Sequence, residues 1–372
     1  MPDDATPAAD IPQARLASID ALRGFDMLWI IGGEVIARDV ARRTHSRAGD
    51  AVIAQLEHVA WRGFRFYDLI FPLFLFLVGA VLPFSMAKFQ RGTWAPYRRI
   101  ARRAAILFLL GLATRVFFAF DWPNLRVAGV LQRIALCYAV AAVITLKTSW
   151  RGQLAFIVAI LAGYWLLLAN VAPPGGVAGD YSPAGNLAGW VDRHYLPGKI
   201  FPAYYGFGDN EGLLSTLPAV ATALLGALAG QVLRSRLAPG RKVATLVVAG
   251  ALGVCGGLAW GQSFPIIKNL WTSSFVLLAG GYSALLLAAF YLVIDVLGYR
   301  RWSYFFVVIG ANAITIYWLR RFVGFGAIAG YFLGGTIRVS GSYGPLVAAC
   351  GTLAAEWAML LVLYRKRIYL RV

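Results

Sequence analysis

The grouping best suited to chemistry is EHVAWRGFRFYDLIFPLFLFLVG, residues 57 to 79, where His58 stands among Glu57, Trp61, Arg62, Arg65 and Asp68 just ahead of an apolar run. An imidazole changes charge near neutral pH, and it can act as a general base or as a nucleophile that forms a labile acyl-imidazole. Asp68 or Glu57 can orient the ring and stabilise its cation. The same residues also describe an interfacial histidine in a Trp/Arg-rich belt, and spacing alone favours that plainer role. The other two histidines, His45 and His194, share no ligand spacing with it, so no metal site is expected.

Further polar residues interrupt the apolar runs. SIDALRGFDMLWIIGGE sets Asp20, Arg23 and Asp26 three apart, on one side of a helix. Each charge near a bilayer centre costs roughly 2.5–3.5 kcal/mol, so mutual pairing is expected, with Arg23 also able to hold an anionic cofactor. Arg115 in GLATRVFF and Gln132–Arg133 in GVLQRIALCY lie inside apolar segments, where a guanidinium either lines a cavity, meets a phosphate or pairs with an acid such as Asp26. Asn312 and Tyr317 in GANAITIYWL and Lys268–Asn269 in IIKNLWTSS add polar groups at segment ends. In GDNEGLLSTLPAV, Asp209 or Asn210 reads as a helix cap and Glu211 as a first-turn acid. Trp190, Tyr195, Tyr204, Tyr205 and Phe207 offer either a sugar-stacking wall or ordinary interfacial aromatics. Gly226 and Gly230 form a small-xxx-small pair for helix packing. Phosphate-loop, dinucleotide-fold and nucleophile-elbow patterns do not occur in the sequence.

The elements that must position these residues are membrane helices. With 372 residues, 59% of them hydrophobic and only 14% charged, the chain exceeds the apolar content of soluble domains and repeats runs long enough to cross about 30 Å of hydrocarbon. The expectation is an all-α polytopic bundle of ten spans near 20–38, 66–87, 100–120, 126–147, 153–171, 212–233, 243–261, 272–297, 303–320 and 343–364, with an eleventh at 322–337 as the alternative. Lys/Arg clusters such as Arg98, Arg99, Arg102 and Arg103, together with the tail YRKRIYLR, put both termini in the cytoplasm and so require an even number of spans. Residues 19–372 then form one domain, with outer loops 39–65 and 172–211. Residues 1–18, acidic and without a basic n-region, read as a mobile tail, not a cleaved signal peptide. The net charge of +18 sits in short clusters between apolar segments, which suits membrane lipid headgroups and argues against nucleic acid. Cys137, Cys255 and Cys350 all fall in spans and read as small apolar side chains.

Five stretches in order, SIDALRGFDM, EHVAWRGFRFYDLIFPLFLFLVG, GVLQRIALCY, DNEGLLSTLPA and IIKNLWTSSFV, resemble the heparan-alpha-glucosaminide N-acetyltransferase family and its bacterial inner-membrane relatives. The resemblance runs from about Arg15 to the C-terminus. It implies a multi-pass inner-membrane acyltransferase that moves an acetyl group from cytoplasmic acetyl-CoA to the amine of a glucosamine-type sugar on the periplasmic side. The histidine of H-x-x-W-x-G-x-x-x-x-D-x-x-F-P, here His58, is then catalytic, with Asp68 as the following aspartate. Arg23, Arg115, Gln132, Arg133 and Asn312 are the expected cofactor contacts. Glu34, Trp61, Glu211, Lys268 and Asn269 are the expected acceptor contacts. IIGGE departs from animal members, which carry an asparagine before the glycines. A homodimer is a further expectation. The rival reading is an inner-membrane transporter of amino sugars or N-acetylglucosamine, which intramembrane Arg and Asp residues would also serve.

Overall fold

A computed structural model of the chain describes residues 16–87, 89, 93–119, 125–201 and 206–370, with backbone alone over 114–119. Its described secondary structure is helical, apart from two isolated antiparallel bridges. Among the described residues, seven helices are long and apolar enough to cross a membrane: Phe66–Met86, Val130–Lys147, Trp150–Asn170, Leu213–Arg234, Pro239–Trp260, Ser273–Val296 and Gly341–Arg365. The chain is thus a polytopic helical protein.

Three of the ten expected segments take a different form, each for a local reason. The first runs as α1 (Ala17–Leu28) into a π-type turn, Trp29–Gly33, and on into α2 (Glu34–Arg43). The break falls at Gly32, whose φ of +133° is open to glycine and strained for any residue with a Cβ. After α3 (Arg47–Gln55) and α4 (Phe66–Met86) comes α5 (Ala95–Ala119), whose first half holds Arg98, Arg99, Arg102 and Arg103 and so is too charged for hydrocarbon. The expected segment 303–320 divides at Asn312 into α12 (Tyr304–Ala311) and α13 (Ala313–Leu319). Between these lie α6 (Val130–Lys147), α7 (Trp150–Asn170), α8 (Leu187–Tyr195), α9 (Leu213–Arg234), α10 (Pro239–Trp260) and α11 (Ser273–Phe290). The segment at 322–337 is a fifteen-residue helix, α14 (Phe325–Val339), and α15 (Gly344–Arg365) closes the fold.

The centre of the bundle is α4, 72% buried, whereas α10 and α15 are 17% and 11% buried and expose Val248, Leu252 and Val362 as a lipid-facing surface requires. Against α4 lies α9, close enough that a Cβ on Gly226 or Gly230 would overlap the carbonyls of Phe76 and Ala80. The small-residue pair therefore serves helix packing, as the sequence suggests. In the same way α1 meets α12 at Gly310, where a Cβ would overlap the Asp20 carbonyl. These backbone contacts hold α9 against α4 and α12 against α1, and α1 in turn packs against α4.

Candidate functional site

Asp68 is the third residue of α4, and its position is set by capping. Its Oδ2 accepts the Arg65 and Val59 backbone N–H groups at 3.1 and 3.4 Å, folding residues 59–65 over the helix start. Its Oδ1 is left for side chains: His58 Nδ1 lies 2.7 Å away and Lys268 Nζ 3.3 Å. The Asp68 side chain is only 1% exposed, while that of His58 is 52% exposed. A carboxylate that already receives two N–H groups is an acceptor, so Nδ1 carries the imidazole proton and donates it to Oδ1. Nε2 then keeps its lone pair. Lys268 Nζ sits 3.1 Å from Nδ1, but two donors do not bond each other, and both converge on Oδ1. Burial pushes the Lys268 ammonium below its ordinary range, with the Asp68 carboxylate opposing that shift. The loop carrying Lys268 is clipped to the His58 loop by the Gly63 N–H to Ile266 carbonyl bond, 2.9 Å, and by the Arg62–Ile267 bridge.

His58 and Lys268 open onto a cavity of about 260 Å³ that is mostly apolar, with Met27, Ile70, Phe71 and Trp271 in its walls. Trp271 is fully buried at φ +53°, rare for a bulky residue, and its indole N–H donates to Thr222 Oγ1 at 3.1 Å. The polar wall opposite is Asn210 and Glu211. Arg126 pairs with Glu211 at 2.5 Å and binds Asp209 through two nitrogens, so the Asp209–Glu211 turn is held against the mouth of α6. Burial alone would lift the Asp209 carboxyl, but Arg126 holds it below the usual carboxylate range. The start of α9 is capped neither by Asp209 nor by Asn210, correcting the sequence reading: Asp192 of α8 accepts the Leu213 and Asp209 N–H groups at 2.9 and 3.1 Å. Asp192 is buried, and that burial raises its pKa to about 6. Freed from capping, the Asn210 side chain leaves its Oδ1 without a partner in the cavity wall.

A second cavity, about 380 Å³, is lined by Arg23, Arg99, Arg103, Ser85, Asn312 and Tyr369 among others. Phe74 and Ile314 line both cavities. Along α4 the first takes Tyr67, Ile70, Phe71 and Phe74, and the second takes Phe74, Val78, Val81 and Ser85. They are stacked end to end over about 27 Å of helix, at 1.5 Å per residue. The second holds three guanidiniums, and the Arg103 Nε and Asn312 Nδ2 atoms there have no hydrogen-bond partner.

No protein-family model matches the chain. It is 25% identical over 420 aligned residues to human heparan-alpha-glucosaminide N-acetyltransferase, covering 96% of this chain and 60% of the human protein. To the mouse protein of the same name it is 27% identical over 335 residues, covering 74% of this chain and 50% of that one. The chain is thus similar, at low identity, to two heparan-alpha-glucosaminide N-acetyltransferases. It spans between half and three-fifths of the length of these relatives.

The residues expected from the N-acetyltransferase resemblance are dispersed over several places. His58, Asp68, Lys268 and Glu211 come together at the first cavity, and Arg23 and Asn312 at the second. Gln132 borders a small crevice beside the first cavity, sharing Val130, Leu131 and Tyr317 with it. Arg133 is buried behind the cavity wall, bonded to Ser215 Oγ and with its guanidinium 5.0 Å over the Trp271 ring. Glu34 pairs with Arg38 at 2.6 Å, Trp61 donates to the Tyr181 carbonyl at 2.8 Å, and neither these two nor Asn269 lines either of the two cavities. The side chain of Arg115 and residues Tyr204 and Tyr205 lie outside the described residues. Of the expected Asp–Arg–Asp cluster only Asp20 and Arg23 pair, at 3.4 Å; Asp26 is fully buried with neither carboxyl oxygen partnered. Asn210, Tyr67 and Trp271 complete the first cavity without having been expected there. Their one sequence signal is nearness to expected residues: Asn210 and Tyr67 adjoin Glu211 and Asp68, and Trp271 lies three residues after Lys268. Among the described residues no group of three or more His, Cys, Asp or Glu side chains converges.

Proposed function

We propose that this chain is an acetyl-CoA-dependent acyltransferase of a bacterial inner membrane, moving acetyl from the cytoplasmic side to the amine of a glucosamine-type sugar in the periplasm through His58. The single observation that carries the reading is the stack of two cavities along α4, one reached by His58 and the other lined by Arg23, Arg99 and Arg103. Three guanidiniums suit the phosphates of a nucleotide thioester, which stay near the arginines while its long acyl-bearing arm extends past Phe74 and Ile314. The basic clusters of α5 and the C-terminal tail support a cytoplasmic position for that end.

At the other end, the acceptor amine faces the Asn210 oxygen and the Glu211 carboxylate. In direct transfer His58 Nε2 takes a proton from the amine as nitrogen attacks the thioester carbon. The C–N bond forms, the C–S bond breaks, and the proton passes to the thiolate, so one amide and one thiol leave. In the two-step route Nε2 itself attacks, thiolate departs, and the acetyl-imidazole is then aminolysed with the same net balance. Asp68 holds the ring in the required tautomer on either route. Lys268 neutralises Asp68 and borders the acceptor.

The test is transfer from acetyl-CoA to glucosamine by the purified protein, with thiol release matched to acetylglucosamine formed. His58→Ala should abolish both. Acetylglucosamine or glucosamine accumulating in liposomes without acetyl-CoA would instead favour a carrier. Radiolabel retained on protein after rapid quench without acceptor would select the acetyl-histidine route.

A further inference from the structure

Asn312 occupies the break between α12 and α13, 3% exposed, in the wall of the arginine-lined cavity. Its amide is half used. Oδ1 has a long contact with Thr315 Oγ1 at 3.4 Å, and Nδ2 has no partner. A buried amide left in this state loses about the value of a hydrogen bond, which a fold avoids unless a ligand completes it. The helix break is what frees the side chain to face the cavity, because α12 is pinned against α1 at Gly310, two residues earlier. Two residues later stands Ile314, which with Phe74 forms the wall shared by both cavities. Asn312 therefore sits just on the arginine side of the wall shared by the two cavities, where a donor entering from the arginine-lined end would pass on its way to His58. Phe74, Val78, Val81 and Ile314 beside it are apolar, so among these lining side chains the amide is the group that offers both a donor and an acceptor, with only the hydroxyls of Ser85, Thr315 and Tyr369 as other uncharged polar groups.

We propose that Asn312 is a donor-selecting residue whose side-chain amide pairs with an amide of the thioester's pantetheine arm. A secondary amide offers both an N–H and a carbonyl, so it complements Asn312 whichever way that side chain is turned. This assignment rests on the acyltransferase reading above and adds a discrimination to it: thioesters with amides in their arm are favoured over simple ones. The contact is a binding contact made before chemistry, so it acts on donor affinity and leaves the acyl-transfer step alone.

The experiment compares wild type with Asn312→Leu and Asn312→Asp in detergent, using acetyl-CoA, S-acetylpantetheine and S-acetyl-2-mercaptoethanol, the last without any amide. Transfer to glucosamine is followed, and calorimetry measures binding of pantetheine itself. Asn312→Leu should raise KM for the two amide-bearing donors and Kd for pantetheine about tenfold, the value of one lost buried hydrogen bond. It should leave kcat, and all parameters for the amide-free donor, unchanged. Asn312→Asp keeps one acceptor oxygen and should fall between. Equal losses on all three donors, or unaltered pantetheine affinity in a folded variant, would overturn the assignment while leaving the acyltransferase reading in place. No transfer from any thioester by wild type would instead remove the reading on which it rests.

Discussion

Asp68 divides its work between two oxygens: Oδ2 caps α4 through the Arg65 and Val59 N–H groups, and Oδ1 receives His58 and Lys268. The substitution Asp68→Asn keeps the size and removes the charge. An amide N–H facing Nδ1 would require that nitrogen to accept, moving the ring proton to Nε2 and removing its lone pair from the cavity. The proposed transfer should fall by about 10² to 10⁴, the range for losing a positioned base, while donor affinity stays near wild type. A variant that kept full kcat would exclude Asp68 as the group that sets the tautomer of His58. Asp192 makes a second prediction at this scale. Its pKa, raised by burial to about 6 from 3.8, means the folded state holds its proton more tightly than the unfolded chain. The stability it contributes is complete below about 3.8 and is lost as pH rises through about 6, amounting to about 3 kcal/mol by linkage. Asp209, held low by Arg126, runs the other way and loses its contribution as pH falls below the ordinary carboxylate range. Between pH 5 and 7 the Asp192 effect stands alone of the two. Melting curves in detergent should show wild type losing stability over that interval relative to Asp192→Asn, and parallel curves would remove Asp192 as the titrating group.

Elements carry the site because they touch through backbone. With Gly226 against the Phe76 carbonyl, α9 lies as near to α4 as helices can pack, and α4 bears Asp68 at its start while the Glu211 turn leads into α9. Gly226→Val should push the two apart, at a cost of about 1–3 kcal/mol or more, and widen the distance between His58 and Glu211. Gly334→Ala, on the open face of α14 where a Cβ meets nothing within 4 Å, serves as control and should change the melting midpoint little. If both variants melt alike, this helix contact does not set the spacing. Sequence legibility follows the same division. The proximity of His58 and Asp68 is legible because a loop and the first turn of one helix bring them together, whereas a catalytic role for them is implied only by the family resemblance. Lys268 lies 200 residues beyond Asp68 and joined the site only through family resemblance. Asn210 passed for a cap because the true cap, Asp192, comes from a helix inside a loop rich in Gly and Pro, where periodicity says nothing. Apolar length found the spans that are straight and uncharged. It missed the breaks at Gly32 and Asn312, since a kink leaves composition unaltered.

At the scale of the whole molecule, the two cavities give the proposed reaction a direction. An arginine-lined space and an imidazole-bearing space meet end to end along the most buried of the seven long apolar helices, over a length close to the hydrocarbon thickness of a bilayer. A soluble transferase brings both substrates to one face, whereas this arrangement separates them and needs only the acyl-bearing arm to cross. In sealed proteoliposomes with acetyl-CoA trapped inside and glucosamine outside, molecules oriented with the arginine-lined end inward should release acetylglucosamine outside and retain free coenzyme A within. Reversing the gradient should address only the opposite orientation, so the two activities sum to that seen in detergent. Phe74→Trp, which adds bulk at the shared wall, should depress transfer in both arrangements. Product formed only when donor and acceptor occupy the same compartment would mean that the cavities do not act as one path, and His58 would then have to draw its acetyl group from its own side.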